Sequence, residues 1–312
     1  MDRAAARRDA EVALGLAFHV WRFWQKRGHL SEARRRLDAL AAEPWTRDVP
    51  ILRARLLEAL GGVCWWQGDI AGMAPAYREA VEIWRTLDDR RELANALYNY
   101  SFTFTLPDLI PAGYLPEGDA DAVFHALLGE ALAIFRELGD DRGEANVLWG
   151  IGNSRYFAND FNPASSDLAL ALEKFRTVGA RTMEAWTLPM LGGAYVRVGE
   201  LEAARRDLTA ALRIFSSASD AAGLTLILDD LSSLELAEGH AERAARVWGA
   251  ARALARTTGA GLASMVDETI ESDARPHVRK VLAEEELARL SAEGAAMTLD
   301  DLVAYALAHD AD

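Results

Sequence analysis

Six histidines and one cysteine are the side chains of this sequence best suited to metal or nucleophilic chemistry, and their spacing supports neither. His19, His29, His125, His240, His277 and His309 lack the short separations that bring imidazoles onto one ion. His29 and His240 occupy the same place in a repeated pattern, which fits an exposed turn. Cys64 stands at the interior position held by Trp24, Phe104 and Tyr195 in other repeats, and a thiol packed there is inert. As the only cysteine it forms no intramolecular disulfide and no multi-cysteine metal site. No G-x-x-x-x-G-K-[ST] loop, no strand followed by G-x-G-x-x-G and no G-x-S-x-G turn occurs, so phosphate binding and acyl transfer have no recognisable apparatus. The chain is not expected to be an enzyme, and no cofactor is expected. A different constellation lies in Trp149, Asn153 and Tyr156, three and four residues apart and so on one face of a helix. Rigid aromatic rings interleaved with amides anchor and orient a bound segment rather than transform it.

Those residues belong to an element that recurs with a period of 40. Turn-forming residues fall at Gly28, Gly68, Asn159, Gly199 and Gly239, and three of the four intervals are 40 residues. The fourth, from Gly68 to Asn159, is 91, two periods plus an insertion of 11. EAVEIWR at 79–85 matches EALAIFR at 130–136, and LPDLIPAGYLPEGD between them holds three prolines and two glycines. No helix continues through such a stretch, so a loop at about 106–119 is expected to interrupt the third repeat, and whether it forms a lid over the groove the sequence leaves open.

Within one period apolar residues recur at spacings of three and four, which is helical, and the turn residue divides each unit into two helices. Eight residues before the turn stand Val20, Leu60, Ile151, Leu191 and Leu231, followed in four repeats by Gly61, Gly152, Gly192 or Ser232. Nine after it come Leu37, Tyr77, Leu168, Leu208 and Trp248, and twelve after it Leu40, Ala80, Ala171, Ala211 and Ala251. Small residues facing large ones allow paired helices to interdigitate. Asp141, with Glu144 three residues on, reads as a helix cap. Arg85, Arg136, Arg176 and Arg256 recur near second-helix ends, where a cation favours the helix dipole. Arg34, Arg35 and Arg36 point in different directions on a helix and read as a solvated face. Pro189 interrupts the hydrogen bonding of a first helix. After residue 259 the period is lost; residues 265–290 read as one helical pattern broken near Pro276, and Thr298 with Asp301 starts a final helix ending near Ala308.

The charge balance narrows the partners. Thirty-four Lys and Arg against 48 Asp and Glu give −14, which repels phosphate backbones and argues against direct nucleic-acid binding. The imbalance is uneven: residues 1–60 carry 12 basic and 8 acidic side chains, +4, leaving 22 and 40, −18, for the remainder. No apolar run reaches the roughly 20 residues of a membrane helix, and a reducing cytoplasm suits a single cysteine.

The large residue, the small one after it, the Gly-acidic turn and the later Ala and aromatic together resemble the tetratricopeptide repeat, in a long variant of about 40 residues. With WRFWQKRGHLSEARRRLDAL near the start and RAARVWGAARALARTTGAGL and MTLDDLVAYAL near the end, the chain resembles the C-terminal signalling superhelix of bacterial LuxR-type and STAND ATPase regulators and of adenylate cyclase-like proteins. The resemblance implies an all-α fold: a right-handed α-solenoid of six two-helix repeats over 1–259, with a C-terminal helical cap over 260–312. It also implies that first helices line a concave groove. Positions 13, 10, 6, 3 and 2 before each turn then face inward. They are Phe18, Arg22, Gln25 and Lys26; Arg55, Glu58, Trp65 and Trp66; Asn95, Tyr98 and Phe102; Asn146, Trp149, Asn153, Tyr156 and Phe157; Trp186 and Arg197; and Asp229 and Ser233. The function so implied is a non-catalytic protein-interaction or inducer-sensing scaffold of a bacterial transcriptional or signalling regulator, its partner a protein or peptide in the groove. A small-molecule effector-binding domain is the first alternative and a helical-repeat enzyme the second. The sequence leaves the oligomeric state open.

Overall fold

The structure is a computed structural model that describes residues 1–105, 119–258 and 278–308. Among them lie fifteen α-helices joined by tight turns and short 3₁₀ segments, with no strand. In chain order the helices are α1 (Asp2–Ala6), α2 (Ala10–Arg27), α3 (Leu30–Ala42), α4 (Pro50–Gln67), α5 (Ile70–Thr86), α6 (Arg90–Ser101), α7 (Ala120–Glu137), α8 (Asp141–Phe157), α9 (Phe161–Thr177), α10 (Arg181–Val198), α11 (Leu201–Ala218), α12 (Ala221–Ala237), α13 (Ala241–Thr258), α14 (Glu284–Ala295) and α15 (Leu299–Leu307). The architecture is an all-α solenoid in which successive helices such as α4 and α5, α10 and α11, and α12 and α13 pack together. The expected loop, apart from its last residue Asp119, and the boundary at 259/260 lie outside the described residues, as do His277 and His309.

The turns show why the period is legible. Gly28, Gly68, Asn159, Gly199 and Gly239 all have positive φ, from 61° to 91°, the left-handed conformation that ends a helix and that glycine and asparagine adopt most readily. Gly139, Gly179 and Ser219 form a second series with φ of 62°, 66° and 50°. From Gly139 to Gly239 a left-handed residue therefore recurs every 20 residues, once per helix.

By contact the chain divides into two compact units. The first comprises the described residues of Met1–Gln25 and His29–Gly150, the second those of Lys26–Gly28 and Ile151–Asp312. In the first, α3 packs on α4, α4 on α5, α5 on α6 and α6 on α7. In the second, α9 packs on α10, α10 on α11, α11 on α12 and α12 on α13, and α10 also reaches α12 directly. That last contact, between helices two apart, is what stacking adds to simple pairing.

The small-against-large pairing is realised residue by residue. A Cβ placed on Gly61 would lie 2.6 Å from the Tyr77 ring, one on Gly152 would lie 2.8 Å from Leu168 Cγ, and one on Gly192 would lie 2.6 Å from Leu208 Cγ. In the last repeat Ser232 takes the place of glycine and donates its hydroxyl to the Ala244 carbonyl at 2.9 Å. Ala80, Ala171, Ala211 and Ala251 are wholly buried beside them.

Local details differ from the sequence reading in three places. The cap before α8 is Asp140, whose carboxylate accepts from the Gly143 amide at 2.9 Å, because Asp141 is already the first helical residue. Asp69, Asp89 and Asp220 cap in the same way, accepting from Gly72, Glu92 and Gly223. Arg136 and Arg176 serve more than their own helix ends: they reach across the turn to Glu144 at 3.4 Å and Glu184 at 2.9 Å, eight residues on in each case. Towards the end of the chain, the described part of 265–290 is a 3₁₀ turn at Val278–Lys280 followed by α14, which begins only at Glu284 after an extended Ala283. Three glutamates in its first turn suit that new N-terminus.

The Arg34–Arg36 run is paired, Arg34 to Asp38 at 2.7 Å and Asp69 at 2.6 Å, and Arg35 and Arg36 to Glu32. Pro189 is buried within α10. The Thr298 cap is present, its hydroxyl accepting from the Asp301 amide at 3.2 Å. α14 crosses α13 so closely that Gly249 faces the Ser291 backbone and Gly294 the Arg246 backbone, leaving no room for a side chain at either.

Candidate binding face

In the first unit, α4, α6 and the start of α8 bring their expected groove residues together. Trp65 and Phe102 have ring centroids 5.6 Å apart, Phe102 and Trp149 5.7 Å, and Tyr98 meets Phe102 edge-on at 5.1 Å. These spacings are those of attractive aromatic pairs, so the rings hold one another in place. Trp66 is buried, whereas Trp65 keeps part of its surface in solvent.

Charged groups flank the rings. The Arg55 guanidinium lies 3.6 Å from Glu92 and 5.4 Å from the Phe18 ring. Asn95 donates to Glu92 at 3.3 Å. Arg22 stacks over Trp21 at 3.8 Å and donates to Gln25 Oε1 at 3.0 Å. Glu58 accepts from Trp84 Nε1 at 3.2 Å. Burial first, and the neighbouring Glu92 second, push its carboxyl up to about 8, so it is largely protonated at neutral pH. The Tyr98 hydroxyl is pushed above its ordinary range by burial, and Arg22 only partly offsets this.

Among the described residues of this unit, five buried polar atoms make no hydrogen bond: Gln25 Nε2, Arg55 Nε, Thr103 Oγ1, Asn146 Oδ1 and Trp149 Nε1. Four of the five belong to expected groove residues. A buried polar atom left without a partner costs roughly 1–3 kcal/mol. Thr103 and Glu92 were not singled out from sequence. Thr103 sits in the 3₁₀ turn Phe102–Phe104 that ends α6, where helical register no longer applies.

In the second unit the expected groove residues have different company. Tyr156 is 5% exposed and donates its hydroxyl to Asp230 at 3.3 Å. Arg197 lies 3.5 Å from the same carboxylate, donates to the Gly193 carbonyl at 2.6 Å and stacks over the Tyr156 and Phe161 rings at 5.0 and 5.3 Å. Phe157 meets Tyr156 edge-on at 5.8 Å, and Trp186 lies 4.6 Å from Phe215. Asp229 is paired with Arg252, and Ser233 donates to the Asp229 carbonyl at 3.2 Å. These contacts tie α8, α9, α10 and α12 together. Asn153 differs: it is 2% exposed and its Nδ2 has no hydrogen-bond partner among the described residues. Asp230 is the residue that sequence reading missed, and its signal was an acid pair inside the apolar run LILDDLSSLEL.

Glu235, Glu238 and His240 place three potential metal-ligand atoms within 4.8 Å of one another. Arg205 and Arg243 already pair with these carboxylates, and Arg243 also donates to the Tyr305 carbonyl at 2.9 Å. Two guanidiniums oppose a third cation there, and the network joins α11, α12, α13 and α15 instead. Cys64 is wholly buried, its thiol pushed up to about 12 by burial despite the opposing pull of Arg34, a cation that the sequence reading did not place there. No helix among the described residues is long and apolar enough to cross a membrane.

No protein-family model and no curated protein matches the chain. Solved structures similar to the chain include the following two. BtubC (BKLC) from P. vanneervenii aligns over 74% of this chain and 90% of its own, with 18% identity and a TM-score of 0.47. A Rap protein, solved in complex with competence and sporulation factor, aligns over 96% of this chain and 97% of its own, with 14% identity and a TM-score of 0.56. The likeness to the Rap protein extends along nearly the whole chain, and with the helix pairs above it shows a tetratricopeptide-like helical repeat.

Proposed function

We propose that this chain is a non-catalytic binding scaffold of a bacterial regulatory system, and that the first-helix face of its first unit takes an extended peptide segment of a partner protein. The observation that carries the reading is the set of unpartnered atoms Gln25 Nε2, Arg55 Nε, Asn146 Oδ1 and Trp149 Nε1 on a face walled by Trp65, Tyr98 and Phe102. Three are donors and one is an acceptor, a set that backbone carbonyls and amides of an extended peptide satisfy, while the rings supply flat apolar area at little entropic cost. The fold likeness to a Rap protein solved with a bound factor supports it, and so does the sequence resemblance to signalling superhelices. Panning a random peptide library on the purified chain tests the proposal. Enrichment that is lost in the Trp149→Phe, Asn146→Ala double variant supports it; no enrichment, or equal enrichment by the double variant, contradicts it.

A further inference from the structure

An open cavity of about 600 Å³ lies in the second unit between α9, α10 and α11, lined by none of the residues of the binding face. Its floor is apolar, with Leu172, Leu188 and Leu191, and its rim carries Tyr195 and Asp207. The 40-residue period supplies a direct internal comparison. One repeat earlier, Asp167 holds the counterpart of the Asp207 position and Arg155 that of Tyr195, and Arg155 pairs with Asp167. In that repeat a guanidinium from the first helix neutralises the carboxylate of the second. In the next repeat the guanidinium has been replaced by a tyrosine, the carboxylate remains, and the cavity stands beside it.

Asp207 is not a surface acid: its side chain is 9% exposed. Its charge is met by Arg206, its neighbour in sequence, at 3.0 and 3.4 Å. The Arg206 side chain is itself 68% exposed, so this partner reaches the carboxylate from the solvent side and an incoming cation must displace it. Arg176 on the same rim pairs with Glu184 at 2.9 Å. Tyr195 and Asp207 both line the cavity, and burial, with the Asp207 carboxylate after it, raises the Tyr195 hydroxyl above its ordinary range. We propose that this cavity binds an organic cation, a guanidinium on a short apolar chain, with its charge between the Asp207 carboxylate and the Tyr195 ring and its chain on the leucine floor. The carboxylate supplies charge-assisted hydrogen bonds, the ring a cation–π contact, and the leucines an apolar bed. The preceding repeat shows the same carboxylate position accepting this chemistry from within the chain.

The test is calorimetric titration of the full chain with butylguanidinium, and separately with the blocked tripeptide N-acetyl-Ala-Arg-Ala-amide. The first probe reports a free small ligand and the second an arginine side chain carried on a polypeptide. Wild type is expected to bind at least one of them saturably. Asp207→Asn is expected to weaken that binding about tenfold or more, the loss of one charge-assisted contact. Tyr195→Arg should abolish it, because the new guanidinium occupies the site as Arg155 does one repeat earlier, and the same variant should melt higher than wild type. That rise distinguishes a filled cavity from a damaged fold. Absence of saturable binding of either probe to wild type, or undiminished binding in both variants, overturns the proposal.

Discussion

The Tyr156 hydroxyl on α8 donates to Asp230 on α12 at 3.3 Å, under an Arg197 guanidinium whose side chain is 2% exposed. Residues 74 apart in sequence are joined by one buried hydrogen bond, and three first helices, α8, α10 and α12, meet at it. A ring so enclosed contributes to the stacking of repeats, whatever else this face does.

Tyr156→Ala is accordingly expected to destabilise the protein by about 3–5 kcal/mol, the range for an aromatic truncated in a core. Tyr156→Phe removes only the hydroxyl and should cost about 0.5–1.5 kcal/mol, since Arg197 still faces Asp230. Urea denaturation followed by circular dichroism measures both. Unchanged midpoints for both variants would show that the Tyr156–Asp230 contact contributes nothing to stability.

The packing register makes its own test. Gly192→Leu inserts a side chain where even a Cβ would come within 2.6 Å of Leu208, and is expected to cost at least 1–3 kcal/mol by overpacking. Arg35→Ala removes an exposed partner of Glu32 and should stay within roughly 0.5 kcal/mol. Equal midpoints for the two would place Gly192 away from the helix–helix contact.

Glu58 gives the fold a dependence on pH. Its folded value of about 8 lies above the ordinary carboxyl value of 4.5, so between these limits the folded state holds a proton that the unfolded chain has released. The sign follows: stability falls as pH rises from about 4.5 to about 8 and is lowest above it. Glu58→Gln, which stays neutral throughout, should flatten that part of the profile. Denaturation midpoints of both proteins at pH 5, 7 and 9 are the check, and parallel profiles would contradict it.

What the sequence made legible is what steric rules write into residue type. Gly28, Gly68, Gly199 and Gly239 mark left-handed turns because few other residues tolerate that backbone, and Gly61, Gly152 and Gly192 mark close helix contacts because nothing larger fits. The second turn series stayed hidden because Ser219 holds a place where glycine was needed to show the period. Arg136 and Arg176 were visible as helix-end cations but not as bridges to Glu144 and Glu184, since pairing across a turn depends on the angle between helices. The binding face was legible as a set of positions and not as a set of states. Register brings Trp149 and Tyr156 to the same helix face, yet Tyr156 is engaged by Asp230 while Trp149 Nε1 has no partner, a difference that only the neighbouring helices decide.

An unpartnered donor offers a clean separation of binding from folding, because removing it takes nothing from the free protein's hydrogen bonding. Trp149→Phe keeps a ring against Phe102 and deletes the Nε1–H. Its unfolding midpoint is therefore expected to shift by no more than about 1 kcal/mol in equivalent stability. The most direct measurement is a fluorescence-anisotropy titration of one labelled, library-selected peptide into wild type, Trp149→Phe, Asn146→Ala and the control Arg35→Ala. Affinity should weaken by about 1–3 kcal/mol in each of the two face variants and stay unchanged in the control, with all four proteins folded. Equal affinity across the four would show that the peptide binds elsewhere and that the first unit's face is not the site.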